Sequence, residues 1–504
     1  MRKDDLIMEL KDKINSIMEL CGSNQQIIIR KFHIGKVKPI EVALLYKDGL
    51  VNQDIINRDI LNPLMHQVNE DLSTMEFINE YVCDNYISMS KISIENDINI
   101  VSKNIKIGQT AILIYGANSF IVADTAGAEH RSITEPMDEV GVRGPRDGFV
   151  ENIQVNISLV KKSLKDRNLK IENLIVGRRS QKDVALLYID DIVDKEILAD
   201  IRNRLSLIDV DFIGSSGEIS QYIEKYPYSI FPQAYVTQRP DAVQSNILEG
   251  KIAIIVDGTP FVLTVPSLFI EFFQAAEDYY QRTIVSNFNR FIRIFATFVV
   301  VMLPSIYLTL IMYNSELIPV RFIIPIVQSR VGIGLSPFLE ILSMQVVIEI
   351  LREGGLRLPN KIAQTLSVVG GFIIGNAALQ AKMVSPSTLV IVGVATIGTF
   401  IVPSYDMSIS IRLLGFPLLF LVNYLGALGL IAGLYFLFVH LLSLDSFGVP
   451  YFPLDKYGDL KDMFIRVPLW KMNKRPESTP NNNPVRQTDF RNKFGGNKNE
   501  KGRK

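Results

Sequence analysis

Two hydrophobic periods divide the chain near residue 290. Before it, short β-branched runs alternate with charged stretches. "VALLY" from Val42 ends at Lys-Asp-Gly, and apolar residues at helical spacing follow at Val51 and Ile55, which predicts a strand leading into a helix. "KIAIIVDGTPFVLTV" from Lys251 sets two such runs around Asp-Gly, a hairpin signal. Helical spacing covers "SLVKKSLKD", "EISQYIEKY" and residues 64–86, the last with His66 on a solvated face. These blocks recur. "VALLYKDGLVNQDI" at Val42 returns as "VALLYIDDIVDKEI" at Val184, and "NIKIGQTAILIYG" at Asn104 as "NILEGKIAIIVDG" at Asn246, both 142 positions on. One shared offset for two separated blocks indicates a tandem duplication. The expected fold is therefore two α/β units, 1–150 and 151–290, followed by an α-helical polytopic membrane domain, 291–445, and a basic, largely disordered tail, 446–504.

The membrane expectation rests on the later runs. "IFATFVVVMLPSIYLTLIMY" (294–313) has no charge over a length that crosses about 30 Å of hydrocarbon, and Pro304 implies a kink. Arg282, Arg290 and Arg293 precede it, which places the duplicated half in the cytoplasm by the positive-inside rule; a basic tail on that same side puts both termini there. A return span is expected over 331–351. Two Gly/Ala/Ser/Thr-rich runs follow, of the kind that lets helices pack closely in lipid. Residues 413–442 read either as one long tilted span or as two short ones. An even number of crossings returns the tail to the starting side; six is the expectation and four the fallback.

Charge adds little at the scale of the whole chain, since Lys+Arg and Asp+Glu balance at 53 each, and no nucleic-acid partner is indicated. The mean hydropathy of +0.20 is high for a soluble protein. From Trp470 onward ten Lys/Arg face three acids, and attraction to membrane lipid headgroups is one use for such a tail. Two cysteines, Cys21 and Cys83, make no disulfide framework. Four scattered histidines argue against a histidine metal site. Walker, H-E-x-x-H and G-x-S-x-G patterns are absent, so no enzyme, cofactor or metal is expected.

Three groups of residues stand out. Glu340, placed near the middle of the 331–351 span, is a pore or gating candidate, because a carboxylate in lipid faces a bundle interior or a water path; a tie to a neighbouring helix is the alternative. Glu349, Arg352 and Glu353 read as an interfacial charge cluster. Arg143, Gly144, Pro145, Arg146, Asp147 and Gly148 form a loop where the first unit hands over to the second. It is read as an inter-unit or subunit-contact loop, with Asp147 a partner for either arginine.

"VALLYKDG", "RGPRDGF", "EDYYQR", "PFLEILSMQVVIEILREGGLRLPNKIAQTLSVVGGFIIGNAALQAKMVSP" and "HLLSLDSFGVPYFPL" together resemble the GerA-type spore germinant receptor A subunit, over roughly residues 25–455. The resemblance implies a subunit of a nutrient receptor in the spore inner membrane, assembled with a permease-like B subunit and a lipoprotein C subunit. It further implies a homo-oligomer forming a ligand-gated cation-release channel. An accessory germination membrane protein of the dipicolinate-release machinery shares this architecture, and a secondary transporter of small solutes is a further alternative.

Overall fold

The computed structural model describes residues 10–491 apart from 22–26, 37, 48–49, 73–74, 76, 128–133, 137–138, 140, 142, 359, 454–455, 457–458 and 489. The last part of the expected disordered tail, 492–504, lies outside the described residues. The chain divides into two compact units, Met1–His130 and Arg131–Lys504.

In the first unit, α1 (Leu10–Cys21) precedes β1 (Ile27–Ile34) and β2 (Ile40–Lys47). A helical run follows as α2 (Gln53–Ile55), a π-helical turn (Ile56–Leu61) and α3 (Asn62–His66). Then come α4 (Ile78–Tyr86), β3 (Ile92–Glu95), α5 (Ile98–Lys106), β4 (Thr110–Ile114) and β5 (Phe120–Ala123). The strands form one antiparallel sheet, β1-β2-β4-β5-β3. It is covered on both faces, which is why "VALLY" reads as an unbroken apolar run: Val42 and Leu44 enter one core, Ala43 and Leu45 the other. The helix expected over 64–86 is interrupted after His66, because the intervening chain turns inward to bury Val68 and Leu72. His66 is exposed.

The second unit repeats the plan. It runs α6 (Ile153–Ser163), β6 (Leu169–Val176), β7 (Lys182–Ile189), α7 (Lys195–Leu207), α8 (Ser216–Ile223), β8 (Tyr235–Thr237), α9 (Pro240–Leu248), β9 (Ile252–Val256) and β10 (Val262–Val265). The sheet order, β6-β7-β9-β10-β8, is the order of the first sheet. Ile27 and Leu169, Ile40 and Lys182, Thr110 and Ile252, and Phe120 and Val262 begin equivalent strands, each pair 142 positions apart. The Asp-Gly hairpin is β9–β10. Caps fix the helix starts: Asn152 accepts from Gln154 and Val155 N–H ahead of α6, and Asp194 from Glu196 and Ile197 N–H ahead of α7. The sequence repeat breaks at 150, whereas the packing boundary lies at 130; Phe149, ahead of the break, already donates its N–H to Gln238 O and shares a core with Ile153 and Ala185.

Helices make up most of the rest: α10 (Thr283–Met312), α11 (Val320–Ser329), α12 (Pro337–Leu356), α13 (Asn360–Gln380), α14 (Pro386–Thr399), α15 (Tyr405–Leu425) and α16 (Ala427–Ser443). Among the described residues two helices are long and apolar enough to cross a membrane by length and composition: α10, with mean hydropathy 2.3, and α15, with 1.6. Pro304 lies within α10. Val300, Val301, Met407, Ile411 and Leu418 share one core of the bundle; Leu308, Ile341, Val392, Leu419 and Val422 share another. Gly398 lets α14 approach α10, since a Cβ there would lie 2.8 Å from Val300 Cγ2. The 413–442 run is two helices. Gly426 (φ +59°) turns the chain, and Gly429 and Gly433 then face Leu421 and Leu418 of α15 at distances no side chain allows.

The tail departs from the expected disorder. A short strand pair, Asp445–Ser446 with Val449–Pro450, leads into it, and residues 459–488 return to the second unit. Arg475 donates from Nε to Leu248 O at 2.7 Å and from Nη1 to Asn483 O and Val485 O at 2.6 Å. Asp459 accepts from Glu477 and Ser478 N–H, each at 2.7 Å. Main-chain acceptors and caps hold a sequence that carries almost no apolar pattern.

Candidate functional site

Glu340 does not lie at the middle of a span. Ser336 caps α12 and Pro337 opens it, so Glu340 stands in the first turn, fully buried. Its Oε1 pairs with Arg330 Nη2 at 2.8 Å. Its Oε2 accepts from Ser385 N–H at 3.0 Å, Ser385 Oγ at 3.0 Å and Thr388 Oγ1 at 2.9 Å. Ser385 is the N-cap of α14. The carboxylate therefore closes the N-terminus of a second helix, where the backbone dipole favours an anion. Tyr307 of α10 joins by its hydroxyl, 2.8 Å from Ser387 Oγ and 3.2 Å from Thr388 Oγ1. Glu340 thus ties α10, α12, α14 and the end of α11 together.

The expected charge cluster is split. Glu349 pairs with Arg412 of α15 at 3.4 Å and Arg352 at 3.7 Å, while Arg352 donates to Thr399 Oγ1 at 3.0 Å and stacks over Phe400. Glu353 instead pairs with Arg357 in an exposed i,i+4 contact at 2.8 Å. Glu349, Arg352 and Arg412 line a cavity of about 40 Å³ with Gln345, Thr396 and Thr399.

The loop at 143–148 packs against Tyr280, a residue of "EDYYQR" that the sequence did not connect with the loop. Gly144 has φ +112°, and a Cβ there would lie 2.6 Å from Cε2 of Tyr280. The Tyr280 hydroxyl donates to Asp241 Oδ2 at 2.7 Å. Asp241 pairs with the buried Arg239 at 2.8 Å, and Arg239 Nη2 donates to Pro145 O at 3.4 Å. Gly148 is buried; Arg143, Arg146 and Asp147 are exposed. Arg146 pairs with Glu135 at 2.9 Å rather than with Asp147. Nearby, Thr237 Oγ1 donates to Glu139 at 2.5 Å, and burial pushes the Glu139 carboxyl up to about 7.

Tyr280 belongs to "EDYYQR", and its neighbours form the base of α10. Asp278, 1% exposed, accepts from Arg293 at 2.6 Å and Arg290 at 3.2 Å. Arg290, 2% exposed, also pairs with Asp462 of the tail at 3.0 Å. Tyr279 donates to Asp462 Oδ2 at 2.8 Å. Arg466 donates to Gln281 O at 3.0 Å, and its backbone exchanges hydrogen bonds with the Asn287 side chain at 2.7 and 3.1 Å. Both Arg290 and Arg466 lie over the Tyr279 ring. Arg290 and Arg293, expected as the positive flank that sets the orientation of the 294–313 span, are therefore neutralised inside the chain. The one sequence hint was Asp278 standing just ahead of three arginines; Asp462 gave none. Beside this knot, adjoining cavities of about 190 and 380 Å³ lie between α9, the 268–280 connector and the tail.

The family model described as "Bacillus/Clostridium GerA spore germination protein" matches residues 15–478. Spore germination protein KA of Bacillus subtilis (strain 168) is 38% identical over 469 residues, covering 92% of this chain and 86% of the relative. The uncharacterized membrane protein YfkQ of the same strain is 35% identical, covering 93% and 90%. Spore germination protein B1 of that strain is 33% identical, covering 95% and 99%. A crystal structure of the N-terminal domain of the A subunit of the Bacillus megaterium spore germinant receptor GerK3 is 31% identical, covering 52% of this chain and 98% of that one, with a TM-score of 0.22.

Proposed function

Because the chain belongs to the GerA family of spore germination proteins, we propose that it is the A subunit of a nutrient receptor whose helix bundle forms part of a gated cation pathway. It sits in the spore inner membrane, with permease-like B and lipoprotein C subunits as partners and further copies of itself around the pathway. Its helices α10 and α12–α16 make six crossings. The return of the tail to the second α/β unit supports this even number, since the chain enters and leaves the bundle on one side. Both termini are then cytoplasmic. The four-part division of the sequence follows: two α/β units, a bundle and a tail. The exposed Arg143, Arg146 and Asp147 are the subunit-contact candidates.

The observation that carries the reading is the knot at Asp278. It fastens the connector that follows β10, together with the tail, to the early turns of a 30-residue apolar helix, so a change in the second α/β unit has a path into the bundle. A nutrient bound elsewhere opens the pathway only by favouring the open arrangement differentially.

Cation release from germinating spores tests it. Glu340→Ala leaves Arg330 and the α14 N-terminus without their anion, and release is expected to fall more than tenfold. Glu340→Gln keeps part of the hydrogen bonding and falls less. Wild-type release from both variants, with loss in Glu349→Gln, would shift the dependence of release from the Glu340 tie to the Glu349–Arg412 pair.

A further inference from the structure

The duplication lets one unit serve as a reference for the other. In the first unit, β5 ends at Ala123 and the chain continues along its own sheet. Asp124 N–H donates to Lys91 O at 3.2 Å, and Asn52 N–H donates to Thr125 O at 2.9 Å. Val51 bridges Ala126, and Gly127 N–H donates to Leu50 O at 3.2 Å. Thr125 Oγ1 also reaches Gly108 O at 3.3 Å. Residues 125–127 thus fill a slot beside Leu50–Asn52 and Gly108.

A shift of 142 turns the slot into Ile192–Asp194 and Gly250, and its filling into Ser267–Phe269. In the second unit that filling is elsewhere. Pro266 stands at the place of Asp124 and has no N–H to extend the ladder. The chain peels away. Ser267 N–H donates to Ser446 Oγ at 3.0 Å, Ser267 Oγ to Gln233 O at 2.7 Å, and Phe269 N–H to Tyr451 O at 2.9 Å.

The tail occupies the slot instead. Val193 bridges Asn481, as Val51 bridges Ala126. Asn482 N–H donates to Ile192 O at 2.8 Å, as Gly127 does to Leu50 O. Asn482 Nδ2 adds a bond to Val193 O at 2.8 Å. A Cβ at Gly250 would lie 3.1 Å from Asn481 Cβ and 3.3 Å from Pro480 O, so the tail is seated against the glycine. The slot reads main chain: Thr-Ala-Gly fills it in one unit and Pro-Asn-Asn in the other.

We propose that the slot of the second unit is an exchangeable peptide-binding surface with two competing occupants from this chain. One is tail segment Pro480–Asn482. The other is Ser267–Phe269, whose counterpart fills the slot of the first unit. Seating Ser267–Phe269 withdraws Phe269 from the rings of Phe231, Phe273, Tyr451 and Phe452, now 5.1–6.0 Å away. It also draws the 269–280 connector toward the sheet. A docked tail therefore holds the base of α10 where it stands, and an undocked tail releases it. The proposal concerns the chain alone and stands apart from the cation-pathway reading.

Hydrogen–deuterium exchange with mass-spectrometric readout tests it on the full chain in detergent against a chain ending at Thr479. Loss of the occupant frees the slot. Peptides covering 266–273 and 445–452 are then expected to exchange about tenfold faster or more, and a synthetic peptide of residues 476–488, added in excess, should restore the slower rate. Unchanged exchange over 266–273 in the shortened chain overturns the proposal, because the slot then merely empties. The second arm uses Val193→Cys with Asn481→Cys in the full chain. Oxidised, it should keep 266–273 slow in mild denaturant that speeds the reduced form. Equal rates in the two redox forms also overturn it.

Discussion

A methyl group added at position 144 would collide with an aromatic ring. Gly144 holds φ +112°, and the Tyr280 ring edge lies 2.6–2.7 Å from where its Cβ would stand. Gly144→Ala therefore combines an unfavourable backbone with a steric clash. It should destabilise the fold by about 1–3 kcal/mol, read as a lower thermal midpoint of the purified chain in detergent. Arg143→Ala, one position earlier on an exposed side chain, should leave the midpoint unmoved. Equal midpoints for the two variants would mean that Tyr280 swings aside at no cost. From the sequence, "RGPRDGF" was legible as backbone punctuation. Its partner was not, because the contact joins two stretches with no shared pattern. Glu340 shows the same limit. Its burial was legible from the apolar run around it, but its place in the first turn depends on Ser336 and Pro337 starting the helix later than hydropathy suggests. Hydropathy averages over a window and does not see a cap.

At the scale of elements, α10 carries buried charge near its start and an uncharged apolar run over the rest of its length. Its first turns carry Arg290 and Arg293, and their charges are met by Asp278 and Asp462 rather than by solvent or lipid. Asp278→Asn removes the shared anion and leaves two buried guanidiniums facing a neutral amide. Breaking a buried pair in this way costs about 3–5 kcal/mol. The expected outcome is a large fall in thermal midpoint with protease cutting near 281–289. An Asp278→Asn chain as stable and protected as wild type would show that Asp462 alone suffices. The helices themselves were legible, since long uncharged runs dictate them, but 413–442 stayed open between one span and two until the positive φ of Gly426 divided it. The tail was not. Its 459–488 segment is held by arginine donors to carbonyls and by Asp459 capping two N–H groups, and such bonds leave no periodic trace.

Across the whole molecule, the repeat of 142 was the most legible feature, because matched residues at matched offsets need no knowledge of packing. The two sheets carry the same strand order, and four of their five strand pairs begin 142 positions apart. What the offset could not reveal is that one copy is finished by its own chain and the other by residues from nearly three hundred positions away. This sets up unequal resistance to damage. Val42 and Val184 occupy equivalent, fully buried places, so Val42→Ala and Val184→Ala, each worth about 2 kcal/mol, mark the melting of one copy apiece in calorimetry. A cut after Thr479 should lower the transition marked by Val184→Ala and leave the one marked by Val42→Ala in place; a parallel fall of both would refute the asymmetry. Proteolytic trimming of the C-terminus would then act as a selective solvent for one half of a twin, loosening the copy that adjoins the helices while its sibling stays intact.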